Sequence, residues 1–328
     1  MKYGRAMVSV IILNWNEGAY ILKCLDCVLG QSYQDIEMIV VDQGSVDGSV
    51  ELISERYPQC KVIRNAANVG FAQGMNQGIN ASNGEYVLML NADAFLHSDF
   101  IWHAVSIFQR LESRKVGMVS GKVYRHTNSE PTREIASLGT FLLKRMTVVS
   151  GSYGDREEYV FGPAGCCPIV RREMLEDTRL PSGDYFDSTF FAFCEDIDLW
   201  LRAQIRGWKC IFTPEVIAWH IQGGSTAGRF RFYERPKELQ VHWRKNRIIC
   251  FLGNIPVALF PNVLLPFLVA EVSLWGYALL SHPSLVRPFV KAHSLVLMML
   301  PSIIRKRRYV LKRRTVSYSY LRSLFVGP

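Results

Sequence analysis

The chain has 328 residues, a hydrophobic fraction of 49% and a formal net charge of +9. This composition excludes a disordered chain, and the length allows one large α/β domain with a smaller second part. Eight cysteines follow neither a disulfide framework nor the paired spacing of a metal site, so reduced and mostly buried thiols are expected. Much of the positive excess lies at residues 305–308 and 312–314. Because no nucleic-acid motif accompanies it, this excess indicates an anionic membrane surface rather than nucleic acid.

The first third of the chain alternates between strand and helix patterns. The first strand pattern begins near Met7 with no apolar secretory segment before it, so the α/β part is expected to stay in the cytoplasm. A repeated β-α-β order predicts a parallel sheet with ligands at the carboxyl ends of its strands. The predicted strands span 8–13, 36–41 and 61–64, and the predicted helices span 20–29 and 49–57.

An unbroken apolar run from Tyr86 to Leu90 organises the rest of the chain, and it continues into Asn91, Ala92 and Asp93. Such a run is typical of a strand that is buried on both faces of a parallel sheet and ends in the ligand crevice. Because a hard divalent cation prefers oxygen ligands, Asp93 is a candidate metal ligand. An aspartate in an ordinary strand-to-loop turn is the alternative.

Two other predicted strands also end on polar residues. Asn14 and Glu17 follow the first strand, and Asp42 ends the second. The carboxyl ends of parallel strands meet at the same edge of a sheet, so these side chains and Asp93 are predicted to face one crevice. The combination of three strand ends is more specific than any one of these residues.

The middle of the chain is less regular. The segment 65–83 is rich in glycine and asparagine and contains Asn76. It fits a loop and short helix whose backbone approaches a ligand, although a plain helical connection fits equally well. After a predicted helix at 100–111 and a predicted strand at 116–123, residues 124–159 are polar with weak periodicity. They are interpreted as an excursion over the sheet.

Two later features carry ionisable side chains. Glu195, Asp196 and Asp198 lie at the start of a predicted helix, where the helix dipole stabilises acids, so an ordinary capped helix is one interpretation. His220 ends a predicted strand just before a glycine-containing turn at 222–225. A lone histidine is more often structural than a ligand.

These segments together resemble the inverting glycosyltransferases of family 2, which have the nucleotide-sugar-binding GT-A fold. The resemblance implies that Asp42 contacts the nucleotide base and that Asp93 is the last residue of the family's Asp-x-Asp metal motif, with Mg²⁺ or Mn²⁺ as the cofactor. His220 lies where a histidine can complete the metal site in this family. The resemblance spans roughly residues 7–250 and rests on 8–16, 40–49, 68–72, 90–93 and 195–199. The nucleotide-sugar-binding residues that it implies are Asn14, Glu17, Asp42, Asn76, Asn91 and Asp93.

The catalytic residues follow from the same resemblance. The Glu195-Asp196 segment resembles the family's base motif. The resemblance implies that Asp196 is the general base and that Glu195 is its orienting partner. Inverting transfer needs one carboxylate near the acceptor hydroxyl, and general-base help is typically worth about 10²–10⁴-fold in rate. Two residues depart from the family pattern. Gln43 stands where Asn or Asp is more common, and Asn91 replaces the first metal-motif aspartate, so weaker metal binding is expected.

The family domain is predicted at residues 1–250, and a helical, membrane-associated region is predicted at 251–328. The apolar stretch 255–280 is just long enough to span a bilayer, but prolines and Glu271 interrupt it. A second apolar stretch at 289–304 is shorter and runs into the basic cluster. Helices lying on the cytoplasmic face, with Lys and Arg on the headgroups, are therefore expected. A spanning hairpin and a buried helical subdomain are the alternatives.

The basic, aromatic segment 242–247 resembles that of rhamnosyltransferase-like members of bacterial polysaccharide assembly. This resemblance implies transfer of L-rhamnose from dTDP-L-rhamnose to a polyprenyl-diphosphate-linked saccharide. The enzyme is expected on the cytoplasmic side of the bacterial inner membrane, as a peripheral or monotopic protein. A UDP-hexose donor is the second choice. A nucleotide-sugar-binding protein without turnover and a nucleotidyltransferase of similar architecture are the competing classes, and the retained Glu195-Asp196 pair argues against the former.

Overall fold

The structure is a computed structural model that describes residues 6–127, 130–151, 154–221 and 234–327. Short 3₁₀ helices span Glu112–Arg114, Val257–Leu259 and Pro283–Leu285. The strands, in chain order, are β1 (Val8–Asn14), β2 (Ile36–Asp42), β3 (Lys61–Arg64), β4 (Tyr86–Asn91), β5 (Ala94–Leu96), β6 (Val116–His126), β7 (Pro131–Ser137), β8 (Thr140–Leu143), β9 (Val148–Ser150), β10 (Glu158–Val160), β11 (Ile169–Arg171), β12 (Lys209–His220) and β13 (Phe325–Val326). The helices are α1 (Ile21–Leu29), α2 (Ser49–Arg56), α3 (Phe71–Asn80), α4 (Phe100–Arg110), α5 (Arg172–Thr178), α6 (Glu195–Ile205), α7 (Lys237–Asn254), α8 (Phe260–Leu280), α9 (Val286–Lys312) and α10 (Tyr318–Ser323).

The chain divides into two compact units, each assembled from separate stretches of sequence. The predicted boundary at residue 250 falls inside α7 and stays a prediction for the extent of the family domain. The first unit comprises Met1–Thr140, Ser150–Asp177 and Trp208–Gly228, and the second comprises Phe141–Val149, Thr178–Gly207 and Arg229–Pro328.

A mixed, mostly parallel sheet forms the centre of the first unit, with the strand order β10-β12-β6-β11-β4-β1-β2-β3. The β-α-β repeat produces the parallel pairs β1-β2, β1-β4 and β2-β3, as the sequence predicts. The sheet is not wholly parallel, because β11 runs antiparallel to both of its neighbours, β4 and β6. Two further strands join the main path from the side: β5 pairs with β12, and β7 pairs with β6.

Both faces of the central strands are covered, which explains their continuous apolar sequence. On one face, Val8, Val10 and Ile12 of β1 belong to a buried cluster that includes apolar residues of α1 and α4. The intervening Ile11 points to the opposite face, where it lies against Gly78 of α3. All four side chains are fully buried.

The glycines of segment 65–83 have a packing role that the sequence interpretation missed. Most of this segment is the regular helix α3, whose glycines face β1 and the β2 loop. A Cβ atom at Gly74 would lie 2.0 Å from Gln43 Nε2, and one at Gly78 would lie 2.3 Å from Ile11 Cγ2. These two glycines therefore allow α3 to pack closely on the sheet, which accounts for them without a ligand.

The segment 124–159, interpreted from sequence as an irregular excursion, contains the short strands β7, β8, β9 and β10. β7 and β10 join the central sheet, whereas β8 and β9 form a three-stranded sheet with β13 near the end of the chain. Most residues of β7 and β9 are exposed or half-buried, so these strands lack the apolar alternation that marks a strand in sequence.

The helices α6 to α9 form most of the second unit. The last apolar stretch belongs to a single helix of 27 residues, longer than the predicted 289–304, because the basic residues that follow it continue the helix. Within the described residues, the one helical stretch long and apolar enough to cross a membrane is Val257–Leu280, and little of it is buried. Glu271, which interrupts this stretch in sequence, pairs with Arg244 and Arg247 of α7.

Candidate active site

Hydrogen bonds join the carboxyl ends of β1 and β2. Asn14 and Asp42 are directly opposite each other in the parallel register, and Asn14 Nδ2 donates to Asp42 Oδ1 at 2.9 Å. The other carboxylate oxygen, Asp42 Oδ2, accepts from the main-chain nitrogens of Gly44 (3.0 Å) and Ser45 (3.1 Å). Asp42 is therefore a buried organiser of the loop, and its contact with a nucleotide base stays a prediction.

Gln43, the first departure from the family pattern, connects this loop to the next one. Its Oε1 accepts from Val69 N at 3.2 Å, and its Nε2 donates to Gly70 O at 3.3 Å. Asn65 Nδ2 also donates to Gln43 Oε1, at 3.4 Å. The longer glutamine side chain thus holds the 68–70 turn beside the end of β2.

The structure brings Asp93 and His220 together, although they are far apart in sequence. Asp93 lies between β4 and β5, and β5 pairs with the end of β12 so that Ala94 is opposite His220. This register places Asp93 Oδ1 3.1 Å from His220 Nε2. β5 was not predicted, because three apolar residues after a turn give too short a pattern to identify.

The charges around His220 show what this pair can hold. Burial lowers the pKa of His220, but the hydrogen bond to Asp93 and the negative charges of Asp93 and Glu17 help to raise it to about 9. A site that favours a positive charge on this ring also suits a divalent cation, for which carboxylate and imidazole are ordinary ligands. Within the described residues, no three acidic, histidine or cysteine side chains are grouped to hold a metal without help. The pair fits Mg²⁺ or Mn²⁺ if substrate oxygens supply the remaining ligands.

The remaining predicted nucleotide-sugar residues of the first unit occupy varied positions. Glu17 is half-buried in the turn before α1 and lies within electrostatic range of His220. Asn91 ends β4, and its main-chain nitrogen donates to Cys166 O at 2.9 Å. Asn76 is buried within α3. The glycine-containing turn predicted at 222–225 lies outside the described residues.

The second group of predicted site residues begins at a strained turn in the second unit. Phe193 and Cys194 have positive φ angles of 71° and 64°, which are uncommon for residues other than glycine. Asn246 of α7 holds this turn, since its Nδ2 donates to the main-chain oxygens of Ala192 (2.9 Å) and Phe193 (2.8 Å). Strained backbone is often kept at functional sites, and here it immediately precedes Glu195.

Glu195 and Asp196 occupy the first turn of α6 with few compensating contacts. Glu195 Oε2 is buried and has no hydrogen-bond partner among the described residues. Asp196 Oδ1 accepts from Ile197 N at 2.7 Å. Burial raises the pKa of Asp196, and burial together with the charge of Asp196 raises the pKa of Glu195 to about 8. A carboxylate that binds protons more tightly than usual is a better general base near neutral pH.

Asp198, the third acid of this cluster, has a structural role. Its Oδ2 accepts from Arg202 Nε at 2.9 Å, so the two side chains form an ion pair one helical turn apart. Its Oδ1 accepts from Asn254 Nδ2 at 2.8 Å and from Lys306 Nζ at 2.6 Å. Lys306 also lies 2.7 Å from Asp187 Oδ2. The basic residues 305–308 and 312–314 were expected to face lipid headgroups. This expectation is wrong for Lys306, because Lys306 is buried between two carboxylates.

We expect Glu195→Gln to raise the thermal stability of the protein at alkaline pH. The pKa of Glu195 is raised from 4.5 to about 8 in the folded chain, so ionisation of this carboxyl destabilises the folded state. This penalty is absent below the pKa of Glu195 in the unfolded chain, where the carboxyl is protonated in both the folded and the unfolded state. It grows with pH until the pH passes the pKa of Glu195 in the folded chain. Melting temperatures should therefore agree at about pH 4 and favour the variant at about pH 8. Glu238→Gln, at an exposed position of α7, is the matched control.

All eight cysteines are free thiols, and every one except the half-buried Cys27 is buried. Burial raises the pKa of Cys24 well above its usual range, which makes its thiol unreactive. This agrees with the expectation of reduced, mostly buried cysteines.

The central sheet is mixed and mostly parallel, and polar side chains gather at the carboxyl ends of its parallel strands. This arrangement is typical of α/β proteins that bind nucleotides. Residues 9–179 match the model of glycosyl transferase family 2. This match covers more than half of the chain, and the chain belongs to that family.

Relatives of known sequence support the same family. The chain is 30% identical over 189 residues to the glycosyltransferase GlyG of Streptococcus pneumoniae serotype 4, a match that covers 55% of this chain and 62% of GlyG. It is 29% identical over 219 residues to the amylovoran biosynthesis glycosyltransferase AmsB of Erwinia amylovora, covering 64% of this chain and 68% of AmsB. The chain thus spans about two thirds of the length of these relatives.

A solved structure confirms the expected fold. The mannosyltransferase PcManGT from Pyrobaculum calidifontis, in complex with GDP-Man and Mn²⁺, superimposes with a TM-score of 0.52 at 19% identity. The match covers 98% of this chain and 86% of PcManGT. At this level of identity the likeness concerns the fold alone, which is the GT-A α/β fold predicted from the sequence.

Proposed function

We propose that this protein is an inverting glycosyltransferase that uses a nucleotide-sugar donor. The observation that carries this proposal is the Glu195-Asp196 pair, two carboxylates with raised pKa values at a strained helix start in a family 2 chain. A purely structural acid pair would be expected to have hydrogen-bond donors around both residues, as Asp198 does. The energetic cost of burying Glu195 and Asp196 fits a chemical role.

The proposed reaction is a single displacement at the anomeric carbon. Asp196 accepts the proton of the acceptor hydroxyl as the hydroxyl oxygen bonds to the sugar, and the bond to the nucleoside diphosphate breaks with inversion. Glu195 orients the acceptor. Asp93 and His220 would hold Mg²⁺ or Mn²⁺, which when bound neutralises charge on the diphosphate. Asn14, Glu17, Asp42, Asn76 and Asn91 are proposed donor-binding residues.

The donor is proposed to be dTDP-L-rhamnose, with UDP-hexoses as the alternative. Support for rhamnose comes from segment 242–247, which lies in α7 and resembles the rhamnosyltransferase-like pattern. The role of AmsB in amylovoran biosynthesis supports a place in cell-surface polysaccharide assembly. The proposed acceptor is a saccharide carried on a polyprenyl diphosphate.

The test is release of nucleoside diphosphate by the purified protein with Mg²⁺ or Mn²⁺, across a panel of nucleotide sugars and a synthetic polyprenyl-diphosphate sugar acceptor. Acceptor-dependent release from one donor supports the proposal and identifies the donor. An axial or equatorial product linkage opposite to that of the donor, seen by NMR, supports inversion. Binding of a nucleotide sugar without release from any donor or acceptor would favour a non-catalytic protein, and release of pyrophosphate would indicate a nucleotidyltransferase.

We expect Asn91→Asp to tighten Mn²⁺ binding. The substitution adds a second carboxylate two residues from Asp93, at the end of β4, and ligand charge strongly influences the affinity of such sites. An increase of about tenfold in Mn²⁺ affinity, measured by calorimetry with nucleoside diphosphate present, is expected. Asn80→Asp, at an exposed position of α3, is the control of equal charge. Equal affinities of the wild type and Asn91→Asp would contradict a metal site at this strand end.

We propose that the protein is attached to the cytoplasmic face of the bacterial inner membrane through α8 and α9. Support comes from their exposed apolar side chains, among them Val272 at 71% and Met298 at 77% exposure, and from the basic residues that end α9. If the helices lie on the surface, high salt or alkaline carbonate should release the full chain from a membrane fraction. A requirement for detergent would instead indicate that α8 is inserted.

A further inference from the structure

A cavity of about 630 Å³ lies in the second unit. One wall is α7, with Trp243 and Arg247, and another is α8, with Leu265, Val269 and Ser273. The β8-β9 connection contributes Arg145. Cavities of this volume commonly hold small-molecule ligands, and the walls here differ strongly in character.

One side of the cavity is rich in positive charge. Arg247 Nη1 donates to the main-chain oxygen of Arg145 at 2.7 Å, and Arg145 itself is exposed. The carboxylate of Glu271 pairs with Arg247 and, at 2.6 Å, with Arg244. Among the described residues, Arg244 and Arg247 share the carboxylate of Glu271, and none of the residues lining the cavity is acidic.

The buried arginines also have unused hydrogen-bond donors. Arg247 Nε and Arg244 Nε and Nη1 are buried without an acceptor among the described residues. Burial lowers the pKa of both groups to about 10, so both remain charged at neutral pH. Buried donors are normally paired, and an anion in the cavity would supply acceptors next to the guanidinium of Arg247.

The other side of the cavity is apolar and open. Leu265 is 69% exposed and Val269 is 56% exposed, both on the stretch of α8 that is apolar enough to cross a membrane. A free phosphate would gain nothing from this wall. A ligand with an anionic head and a hydrocarbon chain matches both sides.

The same helix that carries the basic side of the cavity also supports the proposed base. Arg247 is close enough to Cys194 for its charge to oppose the rise in the pKa of that thiol. Its neighbour Asn246 holds the strained turn at Phe193, directly before Glu195. A ligand anchored at Arg247 therefore lies close to the beginning of α6.

We propose that this cavity binds the diphosphate and first isoprenoid units of a lipid-linked acceptor. The diphosphate contacts Arg145 and Arg247, and the hydrocarbon chain lies along Leu265, Val269 and Ser273 of α8. This inference rests on the proposed function, since it places the lipid carrier of the acceptor beside the helix that bears Asp196.

The experiment measures binding of farnesyl diphosphate to the full chain, by calorimetry and without any nucleotide sugar. Ser273→Trp fills the cavity and Arg145→Gln removes its exposed charge, and each should weaken binding by about tenfold or more. The matched controls are Val272→Trp, at an exposed neighbouring position of α8, and Arg308→Gln, at an exposed position of α9, both of which should bind as the wild type does. Circular dichroism establishes that each variant is folded.

Competing ligands separate the possible sources of the affinity. Farnesol, which lacks the diphosphate, and inorganic diphosphate, which lacks the chain, should each bind far more weakly than farnesyl diphosphate. Equal binding by the wild type and Ser273→Trp, or equal competition by phosphatidylglycerol vesicles, would overturn the inference. Because no donor is present, loss of this binding leaves the proposed transfer reaction standing. Failure of donor turnover with binding intact would refute the reaction but leave the cavity as a lipid-diphosphate site.

Discussion

Asp196→Asn is expected to lower kcat by about 10²–10⁴-fold, the range over which a general base contributes. The variant keeps the size and position of the side chain in the first turn of α6 but cannot accept a proton from the acceptor hydroxyl. Donor affinity should be unchanged, because Asp196 is proposed to contact the acceptor hydroxyl rather than the donor. The measurement pairs nucleoside diphosphate release at saturating donor with calorimetric binding of the donor. Glu238→Gln serves as the control, and full turnover by Asp196→Asn would refute the assignment.

The pH dependence offers a second view of the same carboxylates. A general base works only when it is deprotonated, so activity falls as the pH drops below its pKa. Burial raises the pKa of both Glu195 and Asp196, so the acid limb of kcat/KM should lie above the ordinary pKa of a carboxyl group. A limb near pH 4 would indicate that an exposed carboxylate is the base.

Lys306→Met is expected to destabilise the protein more than any surface substitution in the tail. The change removes the cation between Asp187 and Asp198 and leaves these carboxylates without the ammonium group that they now share. Breaking one partner of a buried ion pair typically lowers the free energy of unfolding by about 3–5 kcal/mol. Chemical denaturation of the full chain measures this loss. Arg308→Met removes the same charge from an exposed position of α9 and should change stability by less than about 0.5 kcal/mol.

The loss of unfolding free energy in Lys306→Met should depend on pH in a defined direction. Burial alone would raise the pKa of Asp187, but the charge of Lys306 lowers it from 3.8 to about 2. The stability that ionised Asp187 contributes is therefore complete above the pKa of this carboxyl in the unfolded chain. It disappears as the pH falls through the pKa in the folded chain. The pKa of Lys306 is raised from 10.5 in the folded chain. The stability that its positive charge contributes is therefore complete below pH 10.5 and is lost at higher pH. A deficit that stayed constant down to about pH 2 would contradict this pairing.

Lys306 also changes the interpretation of the chain's end. From sequence, the basic residues after the last apolar stretch indicate contact with lipid headgroups. In the structure, the tail helix α9 pairs through Lys306 with Asp198 of α6, the helix that begins with Glu195 and Asp196. The tail is thus part of the packing that fixes the proposed base, whatever its relation to a membrane.

Local patterns were sufficient to predict most of the first unit. The apolar runs of β1, β2 and β4 and the polar residues at their ends are visible because each strand is buried on both faces and each turn has its own residue chemistry. The helix start at Glu195 is equally local. These features, in their order along the chain, also carried the resemblance to the family that the comparisons confirm.

The sequence by itself therefore determined the fold class, the family and the strand-end residues. Only the tertiary structure decided which distant side chains meet. The β5-β12 register places His220 on Asp93, and the packing of α9 buries Lys306 between Asp187 and Asp198. The physical reason is that strand pairing and helix packing depend on the register and burial of segments far apart in the chain. A basic residue can contact a membrane surface when it is exposed, or form a buried ion pair when other elements cover it. The residue type is the same in both cases, so the sequence does not distinguish them.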